Sequence, residues 1–327
     1  MIILGINDGH QASAAIMKNG EVIAALAEER FSRRKNEHGY PENAINECMN
    51  LSNISSNEID KIAIATKHLP PSYFMIRRDS DFSIEDFWKE QTDYWYPKIY
   101  QNKNINYTDV FKDKIKKENF VYDKKFIKHD LDTFGMQDAR KDYVSKKLAV
   151  PTDKIIFHDH HASHAYYGLL VSEYAHEDTL IFTADGFGDG ANASIWIKKN
   201  KLLLKNILYT SQCHIGRMYR YATLLLGMKP AEHEFKVMGL APYADKKYTK
   251  KAYKVYAETL QVSGIDFKYK IQPKDNFFYF KNKLEGERFD NIAYAIQIRT
   301  EELLVEWIRN GIKETGIKNV IFSGGVA

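Results

Sequence analysis

The sequence predicts an α/β protein built from two similar lobes. Three observations predict it: a strand, acidic turn, strand, strand pattern that occurs twice, a strand and helix in α/β order after the first copy, and a long helix leading into a final apolar strand. In the first copy Met1 to Ile6 is an apolar strand, Asn7-Asp8-Gly9 a turn, Ser13 to Met17 a second strand, Asn19-Gly20 a tight turn and Glu21 to Ala27 a third strand. The second copy runs Thr179 to Thr183, Asp185-Gly186, Ala193 to Ile197, Lys199-Asn200 and Leu202 to Tyr209. Even an Ala-Ser pair recurs, as Ala12-Ser13 and Ala193-Ser194. Asp8 to Ser13 is five steps and Asp185 to Ser194 nine, so the second acidic turn carries four extra residues.

Asn-Gly between apolar runs is a strong hairpin signal, and Asp-Gly gives the backbone freedom that a ligand-facing turn needs. Each half therefore opens with a hairpin whose acidic tip is placed to face a ligand. A strand at Lys61 to Thr66 and a helix opened by Pro41 complete the first α/β order. This duplicated unit resembles the ribonuclease-H-like superfold of actin, sugar kinases and heat-shock ATPases, in which two such turns clasp the phosphates of a nucleotide. The expected organisation is a first lobe at 1–67 and 151–178, a mostly helical insertion at 68–150, and a second lobe at 179–327. The insertion is crowded with aromatics, from Tyr73 and Phe74 through Phe82, Phe87, Trp88, Tyr94 and Trp95 to Tyr96 and Tyr100. They suit either a satellite core or an acceptor pocket where rings stack on sugars. Between Phe289 and Thr315 a helical period sets Ile292, Ala295, Ile296, Leu303, Leu304 and Ile308 on one apolar side.

With 327 residues the chain can bury a core in each lobe. Its two cysteines, Cys48 and Cys213, are too few for a disulfide framework or a cysteine zinc site, which makes a reducing cytoplasm the simplest compartment. The apolar start meets Asn7-Asp8 far short of a spanning length, arguing against membrane insertion. Basic residues exceed acidic ones by only four, scattered rather than blocked, which argues against a nucleic-acid partner.

Three clusters carry chemistry. Four histidines fall in His158-Asp159-His160-His161-Ala162-Ser163-His164, directly after an apolar strand from Lys154 to Phe157. If Asp159 or His160 opens a helix, His160 and His164 project from one face at a spacing that lets two imidazoles share a metal. Asp185 follows at the end of the next strand. Two histidines and a carboxylate suit Fe(II), and Zn(II) or Mn(II) would also accept them. The second cluster is Glu234 to Tyr243, where Lys236 can present an ammonium to a phosphate and Gly239 admits backbone approach. The third is the terminal strand that runs into Gly324-Gly325, a usual way to bring amides against a nucleotide.

In order, Gly5 to His10 with Ser13-Ala14, Glu28-Glu29-Arg30-Phe31-Ser32-Arg33 with Lys35 and Tyr40-Pro41, His160 to Ala165, Asp185-Gly186, Lys236 to Ala241 and Gly324 to Ala327 form a set of six motifs. The set resembles the bacterial O-carbamoyltransferases of the nodulation and antibiotic-tailoring type, relatives of the tRNA threonylcarbamoyl-transferase subunit. The resemblance implies a metal, usually iron, at His160, His164 and Asp185 with one further aspartate. It implies nucleotide contacts from Lys236 to Gly239 and from Gly324-Gly325, and a part in transfer for His10 and its neighbours. It also implies that the last aspartate, the closing helices and a separate domain making carbamoyl-adenylate from carbamoyl phosphate and ATP lie beyond residue 327. Many relatives have His-Asp where this chain has His10-Gln11, so an acidic role passes to Asp8 or is absent. Asn36 stands where a histidine is frequent, with His38 out of register.

The expected reaction moves a carbamoyl group from carbamoyl-adenylate, seated between the lobes, to a hydroxyl of a small molecule or sugar, with His10 taking the hydroxyl proton. Rival readings are a small-molecule kinase with Asp8 or Asp185 as base, a tRNA-modifying subunit, and a non-catalytic nucleotide- or partner-binding module.

Overall fold

A computed structural model describes residues 1–116, 120–199 and 203–327. Its strands are β1 (Ile2–Asn7), β2 (Ser13–Lys18), β3 (Glu21–Ala27), β4 (Lys61–Ala65), β5 (Ile155–His158), β6 (Thr179–Gly188), β7 (Ala191–Lys198), β8 (Leu204–Thr210), β9 (Leu260–Ser263), β10 (Asp266–Tyr269) and β11 (Asn319–Ser323). The first sheet has the order β3-β2-β1-β4-β5, the second β11-β6-β7-β8, and β9 and β10 form a separate hairpin. β2 is antiparallel to both β1 and β3, while β1, β4 and β5 run parallel. The second sheet repeats this: β7 is antiparallel to β6 and β8, and β11 is parallel to β6. Matched order and direction define a duplicated ribonuclease-H-like fold, with β6, β7, β8 and β11 standing for β1, β2, β3 and β4. The expected turn at Lys199-Asn200 and the strand start at Leu202 fall partly outside the described residues, since 200–202 are not among them.

The chain divides into two compact units, one of residues 1–82 and 104–160, the other of 83–103 and 161–327. Alternation along β1, β2 and β4 puts Leu4, Ile6, Ala14, Ile16, Ile62 and Ile64 on one buried face of the first unit's sheet. The helix Glu42–Ser52 begins after Pro41 and buries Ala44, Ile45 and Cys48 against that face. It stops where Asn53 turns left-handed. Val144 and Leu148 of the helix Thr133–Leu148 complete the same core. Phe74, Tyr122 and Met136 form a smaller satellite cluster beside it.

In the second unit β6 is buried continuously from Thr179 to Ala184, because apolar groups cover both of its faces. Ala165 and Leu169 of the helix His160–Val171 cover one face together with Ile181 and Ile321. The other belongs to the main core with the 27-residue helix Phe289–Thr315. Ile292, Ala295, Ile296 and Leu303 of that helix are buried and Leu304 and Ile308 pack against the core, on the side that the sequence period selects. Trp307 is fully buried as well, and its Nε1 donates to Ile265 O at 2.6 Å.

The aromatic stretch is helical and is shared between the two units. Phe74 and Phe82 pack within the first unit, where Phe82 meets Phe111 at a ring distance of 4.6 Å. Within the second unit Trp88 meets Phe277 edge-on at 5.2 Å, and Tyr96 meets Phe278 at 5.1 Å. Both cysteines are buried free thiols. No helix among the described residues is long and apolar enough to cross a membrane.

Candidate functional site

The helix His160–Val171 starts where β5 ends, and His160 and His164 lie one turn apart along it. Asp185 does not follow a strand end, as its sequence position suggested. β6 continues to Gly188, and the β6–β7 register slips between Ala184 and Gly188, so Asp185 sits in an irregular stretch that re-aims its side chain. His164 Nε2 lies 3.0 Å from Asp185 Oδ2. One ligand atom from each of His160, His164 and Asp185 lies within 4.8 Å of the other two, a grouping of residue types that could hold a metal ion.

The surroundings hold these groups in place. Thr66 Oγ1 is 3.1 Å from His160 Nδ1. Ser323 Oγ on β11 donates to His164 O at 3.0 Å, and Gly168 lets β11 approach, since a Cβ there would meet Ile321 Cγ2 at 2.9 Å. Gly324 has a φ of 106° and turns the chain tightly against Ala184. At Gly325 a Cβ would stand 3.0 Å from Asp185 Oδ1. Gly325 thus makes room for the Asp185 carboxylate and Gly324 for the Ala184 backbone, a packing duty beside the nucleotide contact expected of them. Gly186 N donates to Asp185 Oδ1 at 2.6 Å.

The first acidic tip is built differently. Asp8 is 1% exposed rather than facing a ligand. Arg140 Nε donates to Asp8 Oδ2 at 2.8 Å and Nη2 to Oδ1 at 2.5 Å, a two-pronged pair in which the arginine is wholly buried. Arg140 also donates to the carbonyls of Ala65, Thr66 and Lys67. The pair fixes the Asp8 carboxylate against a cation from a helix 132 residues away.

His10 is partly exposed, and its Nδ1 lies 3.5 Å from Asp79 Oδ2. Burial alone would push the Asp79 carboxyl up, but the hydrogen bond from His10 and the charges of Arg78, His10 and His38 hold it well below the ordinary carboxylate range. Asp79 thus stands beside His10 where the sequence has Gln11 instead of an aspartate. His38 is buried, donates from Nε2 to Tyr73 O at 3.1 Å, and is lowered to about 4 by desolvation and by the neighbouring Arg77 charge. Glu28, in the Glu28-Glu29-Arg30 motif, has a structural duty: its carboxylate accepts from Ala44 N at 2.8 Å and from Asn43 Nδ2 at 2.6 Å, capping the helix after Pro41.

Lys236 and Gly239 share the exposed side of the helix Glu234–Leu240, which Val237 anchors. Lys236 Nζ is 5.8 Å from the Phe235 ring centre, and the space beside Gly239 is open.

Arg140, Thr66 and Asp79 escaped the sequence reading. Arg140 had a legible signal, because Met136, Arg140 and Val144 recur every four residues and place an arginine in an apolar stripe. Thr66 and Asp79 have none, since their importance comes from contacts distant in sequence.

Fold and site together define a duplicated ribonuclease-H-like protein with a two-histidine, one-carboxylate cluster at the second hairpin. The chain belongs to the family described as carbamoyltransferase N-terminus, which it matches over residues 2–327. It is 26% identical over 350 residues to an uncharacterized protein of Synechocystis, covering 99% of this chain and 50% of that protein. It is 24% identical over 324 residues to the nodulation protein NolNO of Sinorhizobium fredii, covering 97% of this chain and 41% of the relative. The chain thus spans about half the length of the curated relatives it matches. Among solved structures it is similar to component A of the Acidaminococcus fermentans (R)-2-hydroxyglutaryl-CoA dehydratase, with a TM-score of 0.44, 11% identity, and coverage of 100% of this chain and 83% of that one.

Proposed function

We propose that this chain is the transferring part of an O-carbamoyltransferase that moves a carbamoyl group from carbamoyl-adenylate to a hydroxyl of a small molecule or sugar. The convergence of His160, His164 and Asp185 carries the reading, in a chain whose family is named for carbamoyl transfer. These three residues hold iron or another divalent cation. When bound, that cation supplies Lewis-acid stabilisation of the charge that grows on a carbonyl oxygen.

The chain's own residues do the rest. The acceptor oxygen forms a bond to the carbamoyl carbon, the bond from that carbon to the adenylate phosphate oxygen breaks, and AMP leaves with the electron pair. His10 takes the hydroxyl proton at Nε2, because its Nδ1 is turned to Asp79. Lys236 and Gly239, with Gly186 and the Gly324-Gly325 turn, form the nucleotide contacts. Carbamoyl phosphate and ATP are the precursors, and a region outside these 327 residues makes the adenylate.

The test uses the full-length protein incubated with ATP, carbamoyl phosphate and a panel of sugar acceptors. AMP release with a new carbamate ester is expected, and His160→Ala and His164→Ala should lose both bound metal and transfer. ADP with a phosphate ester would overturn the reading in favour of a kinase.

A further inference from the structure

Thr66 ends β4 in a conformation that its side chain disfavours. Its φ is 66°, in the left-handed region that a β-branched residue rarely enters. Such a backbone persists only where the surroundings over-determine it. Here the surroundings are the buried Arg140 guanidinium. Its Nη2 donates to Thr66 O at 3.0 Å and to Ala65 O at 3.4 Å, its Nη1 to Lys67 O at 3.3 Å, and Asp8 fixes the guanidinium itself. Three successive carbonyls are gathered on one cation. The Phe157 ring closes over that cation at 4.7 Å.

The consequence reaches the candidate metal centre. The turned Thr66 sets its Oγ1 3.1 Å from His160 Nδ1. A histidine ligand needs one ring nitrogen protonated and anchored so that the other presents its lone pair in a fixed direction. Resting on the metal reading above, we propose that Thr66 is a positioning residue: clamped by Arg140, it accepts the Nδ1 proton of His160 and so commits His160 Nε2 to the cation. The Asp8–Arg140 pair then has a purpose beyond stability, because it is the support on which the Thr66 hydroxyl stands.

The experiment compares Thr66→Ser, Thr66→Val and Thr66→Gly in the full chain, titrating the metal-free protein with Zn(II) alone and recording melting temperature. Losing the hydroxyl should weaken Zn(II) binding about 10- to 100-fold in the valine and glycine variants, and serine should stay within about threefold of the parent. Glycine adopts the left-handed backbone freely, so Thr66→Gly should melt no lower than Thr66→Val while binding metal as poorly. A purely structural role moves both readouts together; this one separates them. Long-range ¹⁵N correlation spectra should show His160 protonated at Nδ1 in the parent and in Thr66→Ser, and a shifted tautomer balance in Thr66→Val. Parent-like Zn(II) affinity in the valine and glycine variants overturns the proposal, as does a serine variant that binds no better than valine. Asp185→Asn separates the two ideas: if it weakens Zn(II) binding while Thr66→Val does not, the metal site stands and the positioning role falls. If neither the parent nor any variant binds Zn(II), Fe(II) or Mn(II), both fall.

Discussion

Asp8 and Asp185 hold matching places in the two copies of one hairpin, yet Asp8 is sealed against a guanidinium and Asp185 stands half-buried beside an imidazole. The partner makes the difference. Arginine keeps its charge at every working pH, so Asp8 spends both oxygens on a permanent pair and becomes part of the scaffold. Asp185 instead meets His164 Nε2 with Oδ2 and Gly186 N with Oδ1, and its side chain keeps 23% of its surface exposed. The second turn is four residues longer, and Gly325 packs against its carboxylate, where a Cβ would stand 3.0 Å from Oδ1. Duplication thus supplied one shape twice, and the neighbours gave the two carboxylates different partners and different burial.

The largest effect should come from breaking the support. Arg140→Met leaves the Asp8 carboxylate buried without its cation, and urea unfolding should show a loss of about 3–5 kcal/mol. An Asp8→Asn/Arg140→Met double variant should recover part of it; equal losses in the single and double variants would show that the pair itself is not what matters.

A second prediction uses His38, whose backbone neighbour Gly39 donates to Asp8 O at 3.0 Å. Its pKa falls from an ordinary 6.5 to about 4 on folding. The unfolded chain therefore takes up the proton first, so this contribution is complete above pH 6.5 and is lost as pH falls toward 4. The loss should approach about 3 kcal/mol in that window. His38→Gln should flatten the dependence, which a set of urea titrations between pH 4 and 7 would measure.

At the second tip the expected effects fall on metal rather than stability. Asp185→Asn should weaken Zn(II) binding by about 100-fold, at or beyond the upper end of what losing a ligand's partner costs. Its urea midpoint should change little, the opposite of Arg140→Met. The smallest effect is reserved for Gly325→Ala, where the added Cβ stands 3.0 Å from Asp185 Oδ1. A tilt of the carboxylate should cost about tenfold in affinity, about 1.4 kcal/mol. Unchanged affinity would mean that the glycine serves the turn alone.

Much of this was legible in the residues. The strand borders of β1 to β4 follow from alternation and the Asn19-Gly20 turn, and the long helix keeps the apolar side its period assigns. That His160 and His164 share one helix face follows from helical spacing, a local rule. The β6 extension past Thr183 was not legible, since the slip that carries it depends on pairing with β7. Nor was the sharing of the aromatic stretch between two units, because an aromatic residue packs on whichever apolar surface the fold brings to it.

By itself the sequence determined the duplicated fold, the family and the two-histidine turn, all of which rest on short-range patterns of spacing and polarity. Only the tertiary structure decided which acidic tip is buried against an arginine and which lies half-buried beside a histidine. That choice rests on Arg140, 132 residues from Asp8, and on Gly325, 140 residues from Asp185. Whether a carboxylate is neutralised for good or left to bind depends on the charge and room around it, and those are properties of the folded chain.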